Sequence, residues 1–378
     1  MKYRKFGKLG IECSAFGVGC MRFPMKKDEN GNEYVDESIS TPIIRHAVES
    51  GVNYFDTAYV YSGQKNEAAV GHALRDGYRD RVYLATKLPT WNCNTREDMD
   101  RLLDEQLSNL ETDHIDFYLV HALNLGSWRK VRDLGIREFL DAAKASGKIK
   151  YACFSFHDNY DAFIEIIDSY DWDMCQIQFN FMDIENQATI RGLEYAGKKG
   201  IPVVIMEGLL GGKLAKAPDN VQAIYDSFPV KRSPVEWAFR WICNHPEVAT
   251  VLSGVTSMEQ CDDNLAIFDR CEVGAMTPEE EELISKVRDA YNSRTKVGCT
   301  GCAYCMPCPN GVDIPGIFRT WNNLFLYNEN LSGNGWYRRM VNEEHGAERC
   351  LECGACEGVC PQHLDIIEKL KQANAEML

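Results

Sequence analysis

Residues 53–61 read Asn-Tyr-Phe-Asp-Thr-Ala-Tyr-Val-Tyr, an apolar, strand-like run that delivers Asp56 and, five residues on, Tyr61. A phenol with an intrinsic pKa near ~10 hands over a proton at neutral pH only if a nearby cation makes its anion tolerable. Two further apolar runs end in candidate helpers: residues 82–87 finish on Lys87, and residues 115–121 finish on His121. Taken singly, each residue also fits an ordinary strand end. Three successive strands that each finish on or beside a proton-handling residue are what a β/α barrel provides, because its strand C-termini share a rim.

The elements that must position these residues follow the same pattern. Strands are expected near residues 17–21, 52–57, 82–87, 115–121, 149–155, 174–180, 201–206 and 248–253, with amphipathic stretches of helical period between them, such as 96–110 and 158–170. Parallel strands need such crossovers, and eight of them close a barrel. An open doubly wound sheet would want Gly-x-Gly-x-x-Gly after the first strand; residues 16–21, Phe-Gly-Val-Gly-Cys-Met, offer only Gly-x-Gly. Residues 1–16, with Gly7 and Gly10 between β-prone pieces, read as a hairpin that could plug a barrel end. The helix expected at 277–291 closes the barrel domain, 292–296 reads as a linker, and the expected partition is 1–291 and 292–378.

The chain of 378 residues has room for a large domain and a small one. Its 56 acidic against 41 basic residues, a net charge of −15, argue against nucleic acid and against an anionic membrane as partners. The first residues, Met-Lys-Tyr-Arg-Lys, run on without a signal-like apolar segment, and no run of about 18 apolar residues follows. The expectation is a cytoplasmic protein. Sixteen cysteines in such a chain point to metal or redox chemistry rather than a disulfide framework. Eight of them (Cys13, Cys20, Cys93, Cys153, Cys175, Cys243, Cys261, Cys271) are scattered singly and read mostly as buried thiols.

The run Asp56-Thr-Ala-x-x-Tyr61, with Lys87 in Ala-Thr-Lys and His121 in Leu-Val-His, resembles the aldo-keto reductase family over roughly the first three quarters of the chain. The resemblance implies an α/β fold, a (β/α)8 TIM barrel, and an NADPH- or NADH-dependent oxidoreductase acting on a small-molecule carbonyl substrate. It implies that Tyr61 is the general acid, that Lys87 lowers its pKa, that Asp56 holds Lys87, and that His121 orients the substrate carbonyl. Cofactor contacts are implied at Gly19 and Met21 after the first strand, at Ser155 and Gln178 for the nicotinamide carboxamide, and at Gly208, Leu209, Gly211 and Lys213 over the pyrophosphate. Ser253, Gly254, Gln260 and Asn264 match the site for the adenosine phosphate end, beside a helix N-terminus.

Three positions depart from the pattern: Phe156 stands where many members have Asn, Met206 where many stack a tyrosine on the nicotinamide, and Ser257 where many have an arginine for the 2′-phosphate. NADH use, or a flavin in the same cleft, therefore stays open. His157, Trp91 and Trp128 fall near rim loops and are read either as pocket lining or as packing.

Near the C-terminus Cys299-x-x-Cys302-x-x-Cys305-x-x-Cys308-Pro is followed by Cys350-x-x-Cys353-x-x-Cys356-x-x-x-Cys360-Pro. The second run has the spacing of a bacterial ferredoxin; a zinc site wants paired ligands separated by a longer loop. The ferredoxin resemblance implies a small α-helical iron–sulfur domain with Cys299, Cys302, Cys305 and Cys360 on one [4Fe–4S] cluster and Cys350, Cys353, Cys356 and Cys308 on the other. The first run is one residue short before Cys308, so one cluster or two remains open. The apolar face Ile317, Phe318, Trp321, Leu324 and Phe325 between the runs is expected to dock this tail on the barrel, with a partner surface as the alternative. Because hydride transfer moves two electrons and a cluster passes one, three readings stand: a carbonyl reductase with structural or sensing clusters, a flavin-linked electron-transfer enzyme, or an electron carrier or sensor serving a redox partner protein.

Overall fold

The computed structural model describes residues 1–327 and 335–378. They form two compact units, one of Met1–Gly211 with Glu236–Thr277 and one of Gly212–Val235 with Pro278–Leu378. No described helix is long and apolar enough to cross a membrane.

The first unit is a closed barrel of eight parallel strands: β1 (Phe16–Gly19), β2 (Tyr54–Asp56), β3 (Tyr83–Leu88), β4 (Ile115–Leu123), β5 (Ile149–Phe156), β6 (Met174–Gln178), β7 (Val203–Met206) and β8 (Val248–Gly254). β8 pairs with β1 through Val251 and Phe16, which closes the ring. Alternation along each strand decides which residues face inward. Tyr54, Ala85, Phe117, Leu119, Cys153, Met174 and Val204 fill the inner core. The residue two further along β2 or β3, or at the next inner position of β4, is Asp56, Lys87 or His121, so the same alternation carries these three to the rim. The eight isolated cysteines are all buried, as their apolar settings suggest.

The opposite end is sealed by the expected hairpin, Tyr3–Lys5 paired antiparallel with Glu12–Ser14. Phe6 at its turn is fully buried, with its ring 5.1 Å from Phe117 and 5.9 Å from Tyr54. Gly7 has a left-handed backbone, and a side chain there would run into the Gly200 carbonyl. A second hairpin, Met25–Lys27 with Glu33–Val35, lies in the connection after β1 and was not expected.

The second unit is helical. Its core gathers Ile314, Ile317, Phe318, Trp321 and Leu324 of the helix Ile314–Leu326 with Ile366, Leu370, Ala373 and Met377 of the helix Ile366–Met377. The apolar face expected to dock on the barrel is thus filled from within its own unit: the C-terminal helix supplies the complementary stripe, and Trp321 Nε1 donates to Glu376 at 2.9 Å. The helix Pro278–Asn292, expected to close the barrel domain, falls by its contacts in this unit together with Asp219–Ser227. There half-buried Arg232 and buried Glu280 form a 2.5 Å ion pair.

Truncating a fully buried aromatic ring costs about 3–5 kcal/mol. Phe6→Ala should lower the stability of the barrel by that amount in chemical denaturation; an unchanged midpoint would show that the hairpin does not seal the core.

Candidate active site

Lys87 is 1 % exposed, and its ammonium meets three oxygens at the rim. It donates to Asp56 Oδ1 at 2.6 Å, to the Thr57 carbonyl at 2.7 Å and to the Tyr61 hydroxyl at 3.2 Å. Burial works to lower the pKa of Lys87, but the charges of Asp56 and Tyr61 outweigh it, and the amine keeps its proton above the usual lysine range. Burial pushes the Tyr61 phenol up, and Lys87 pulls it down without overcoming that effect. Lys87 thus acts on the phenol in the expected direction, but among the chain's own groups desolvation of the phenolate wins, and the phenol is held in its acid form.

His121 stands edge-on to Tyr61, with ring centroids 6.2 Å apart. Burial, then the Lys87 charge, then His157 press its pKa down to about 3, so the ring is neutral at any ordinary working pH. Its Nδ1 has no hydrogen-bond partner among the described residues. Trp91, half exposed, lies 5.1 Å from this ring and belongs with the site, whereas Trp128 is buried edge-on against Trp172 in the core. Left-handed backbone at Ser62, Gln64 and Ala122, beside Tyr61 and His121, marks strain held at the rim.

A second layer, not singled out in the sequence, fixes Lys87. The buried carboxylate of Glu67 accepts from Thr86 Oγ1 at 2.6 Å and from Gln106 Nε2 at 2.7 Å, and the Gln106 amide also reaches the Lys87 carbonyl at 3.1 Å. Thr57 donates to Asn66, whose amide reaches the Cys20 carbonyl. The legible signal was Asn66-Glu67, five residues after Tyr61, opening the helix Asn66–Ala73.

The expected cofactor residues separate. Ser155 faces inward and accepts from the Ala122 amide at 2.7 Å. Phe156, one residue on, points outward, is fully buried and packs edge-on against Phe163, so its departure from Asn opens no space in the cleft. Gln178 is engaged at both ends, donating to Asp183 at 2.7 Å and accepting from Gln187 at 2.9 Å, and Gln187 in turn meets His157. Gln176, two residues earlier on the same face, is buried beside the Met206 sulfur, and its Oε1 has no partner among the described residues. A buried carbonyl of this kind suits an amide donor, and Gln176 lies on the same face as the expected Gln178, two residues before it.

Gly208 admits the Ile242 side chain, which would stand 2.9 Å from an added Cβ. Gly211 has φ +66°. Leu209, on the same loop, is half-buried. Lys213 belongs to the second unit, where its ammonium lies 5.4 Å from the centre of the Tyr327 ring. Ser253 accepts from Asn264 at 3.0 Å, and Gln260 folds back onto Thr256. Ser257 caps the helix Met258–Phe268. Gly19 pairs with Asp56 and Gly254 in the sheet, and Met21 is exposed just beyond.

In the second unit Cys299, Cys302, Cys305 and Cys360 line one pocket, together with Ile314, Phe318 and Leu364. The two cysteine runs repeat one backbone: Gly301 and Ala303 in the first, Glu352 and Gly354 in the second, all have positive φ at the same offsets. Such alternation turns successive N–H groups toward one side, a concavity suited to an anionic group. The Gly301 amide accordingly donates to Cys299 Sγ at 3.4 Å. The short spacing before Cys308 lies after this repeated part.

Comparison with known proteins agrees. The aldo/keto reductase family matches residues 15–277, and a 4Fe-4S dicluster domain matches residues 298–364. The chain is 24% identical over 296 residues to the uncharacterized oxidoreductase YqkF of Bacillus subtilis, covering 70% of this chain and 90% of that one. It is 24% identical over 304 residues to probable aldo-keto reductase 1 of Glycine max, covering 69% and 82%. Among solved structures, the holo form of aldo-keto reductase AKR11C1 from Bacillus halodurans superposes with a TM-score of 0.63 at 24% identity over 76% of this chain and 96% of that one. An aldo/keto reductase from Klebsiella pneumoniae, in complex with NADP and acetate, gives 0.60 at 22% identity over 76% and 95%. With the barrel, the rim residues and the cysteine runs in place, the chain belongs to the aldo/keto reductase family and carries a C-terminal 4Fe-4S dicluster domain.

Proposed function

We propose that this oxidoreductase is a nicotinamide-dependent carbonyl reductase in which Tyr61 is the general acid. The observation that carries the reading is the buried Lys87 ammonium, bonded at once to Asp56, the Thr57 carbonyl and the Tyr61 hydroxyl. When bound, a nicotinamide dinucleotide supplies the hydride that reduces the carbonyl carbon. Tyr61 delivers the proton to the carbonyl oxygen, and the alcohol forms as its phenol becomes phenolate. Lys87, held protonated by Asp56, stabilises that anion at the moment it appears. His121 stays neutral, so it orients the substrate oxygen by hydrogen bonding without competing as a cationic acid. Gln176, with its unpartnered Oε1, and Ser155 would hold the carboxamide of the dinucleotide.

Positioned general acids contribute roughly 10²–10⁴-fold to rate. Tyr61→Phe should cut kcat for aldehyde reduction by that factor while leaving dinucleotide affinity unchanged. Wild-type-like turnover in this variant, measured by dinucleotide absorbance, would remove Tyr61 from the chemistry.

The two cysteine runs would bind two [4Fe–4S] clusters, which pass single electrons when present; the repeated left-handed backbone supports the reading. Anaerobically purified protein should then hold about eight iron atoms per chain. Cys302→Ala and Cys353→Ala should each lose about half of that iron. A wild-type content of about four would contradict the two-cluster assignment.

A further inference from the structure

Arg22 follows β1 in the short turn Cys20–Arg22. Its stem lies across Gly254 at the end of β8, where an added Cβ would stand 2.9 Å from Arg22 Cγ. Its head reaches Gly211 in the loop after β7, where an added Cβ would stand 3.0 Å from Nη2. The side chain thus spans the ends of three adjacent strands over two residues that present only backbone. The guanidinium is exposed and forms no hydrogen bond or ion pair with any described residue. Glu207 Oε2 stands 3.7 Å from the same point above Gly211, and no ion pair joins it to Arg22 among the described residues.

The neighbouring groups are otherwise committed: Ser253 to Asn264, Gln260 to Thr256, and Ser257 to its helix cap. Around the barrel the strands run β5, β6, β7, β8, β1, β2. With the carboxamide at Ser155 and Gln176, on β5 and β6, and the ends of β2, β3 and β4 occupied by Asp56, Tyr61, Lys87 and His121, the ends of β7, β8 and β1 are the side left for a diphosphate. A planar guanidinium with free N–H groups, set among bare glycine backbone, is suited to a diphosphate bridge.

We propose that Arg22 binds the diphosphate of the dinucleotide, a role that rests on the nicotinamide reading above. The diphosphate is common to NADH and NADPH, so Arg22 strengthens both and does not choose between them. The assignment supplies a cationic phosphate partner from β1, where Ser257 has no charge to offer.

The test is dinucleotide titration of the full-length, cluster-loaded protein under anaerobic conditions, following tryptophan fluorescence, for the wild type, Arg22→Gln and Arg22→Ala. Arg22→Gln keeps most of the stem over Gly254, and unchanged melting confirms that the fold survives. Loss of one charge-assisted phosphate contact should raise Kd for NADH and for NADPH alike, by ~10-fold or more. Unchanged Kd values in both variants overturn the assignment while leaving the nicotinamide reading intact. Weakening of NADPH alone also overturns it, because Arg22 would then read the 2′-phosphate. A wild type that binds neither dinucleotide overturns the nicotinamide reading itself, and this inference with it.

Discussion

The structure of the site depends on burying one ammonium. Lys87 and Asp56 are almost wholly removed from water, and stripping hydration from such a pair costs several kcal/mol per ion unless geometry and further hydrogen bonds repay it. The barrel meets that demand with fixed oxygens: the Asp56 carboxylate, the Thr57 carbonyl and the Tyr61 hydroxyl. Behind them Glu67, Thr86 and Gln106 form a second buried polar layer that grips the Lys87 backbone. Removing a partner would strand a buried charge, which is why these side chains act as one unit. For the proposed proton donation by Tyr61 this is electrostatic preorganisation, a cation already in place beside the phenol.

The two units address different currencies. In the function proposed above, the rim of the barrel handles a proton in a two-electron reduction, whereas clusters of the kind the cysteine runs suit pass one electron at a time. None of the proton-handling residues is a cysteine, and the cysteine runs are organised by their own helical core. Each unit is therefore intelligible by itself in chemical terms, and the proton step proposed for Tyr61 needs no electron from the cysteine-rich unit.

Much of this was legible in the sequence because parallel strands alternate strictly. Once residues 53–56, 82–87 and 115–121 are read as strands, Asp56, Lys87 and His121 must share the inner face at one end, and all eight strands were found at the expected places. What alternation cannot say is which of two residues on one face is already satisfied. Gln176 and Gln178 are equivalent in pattern, and only the bonds that Gln178 donates to Asp183 and accepts from Gln187 distinguish them. Likewise, the apolar stripe of Ile314–Leu326 announced burial without naming its cover, which turned out to be the C-terminal helix. Arg22 was invisible because its meaning lies in Gly211 and Gly254, far from it in sequence. The net pKa of Tyr61 depends on a contest between burial and a neighbouring charge, and only the depth of burial decides it.

The central claim, that a neutral buried phenol and not an imidazolium supplies the proton, is tested most directly by the pH dependence of single-turnover carbonyl reduction at saturating dinucleotide. Tyr61 is held above its ordinary pKa by burial, and His121 is pressed to about 3, so neither changes charge in the neutral range. The rate should be level from about pH 5 to 8 and fall only in the alkaline range, as the phenol loses its proton. A rate that instead declines through about pH 6 to 7 would show a histidine-like acid at work and contradict proton donation by Tyr61.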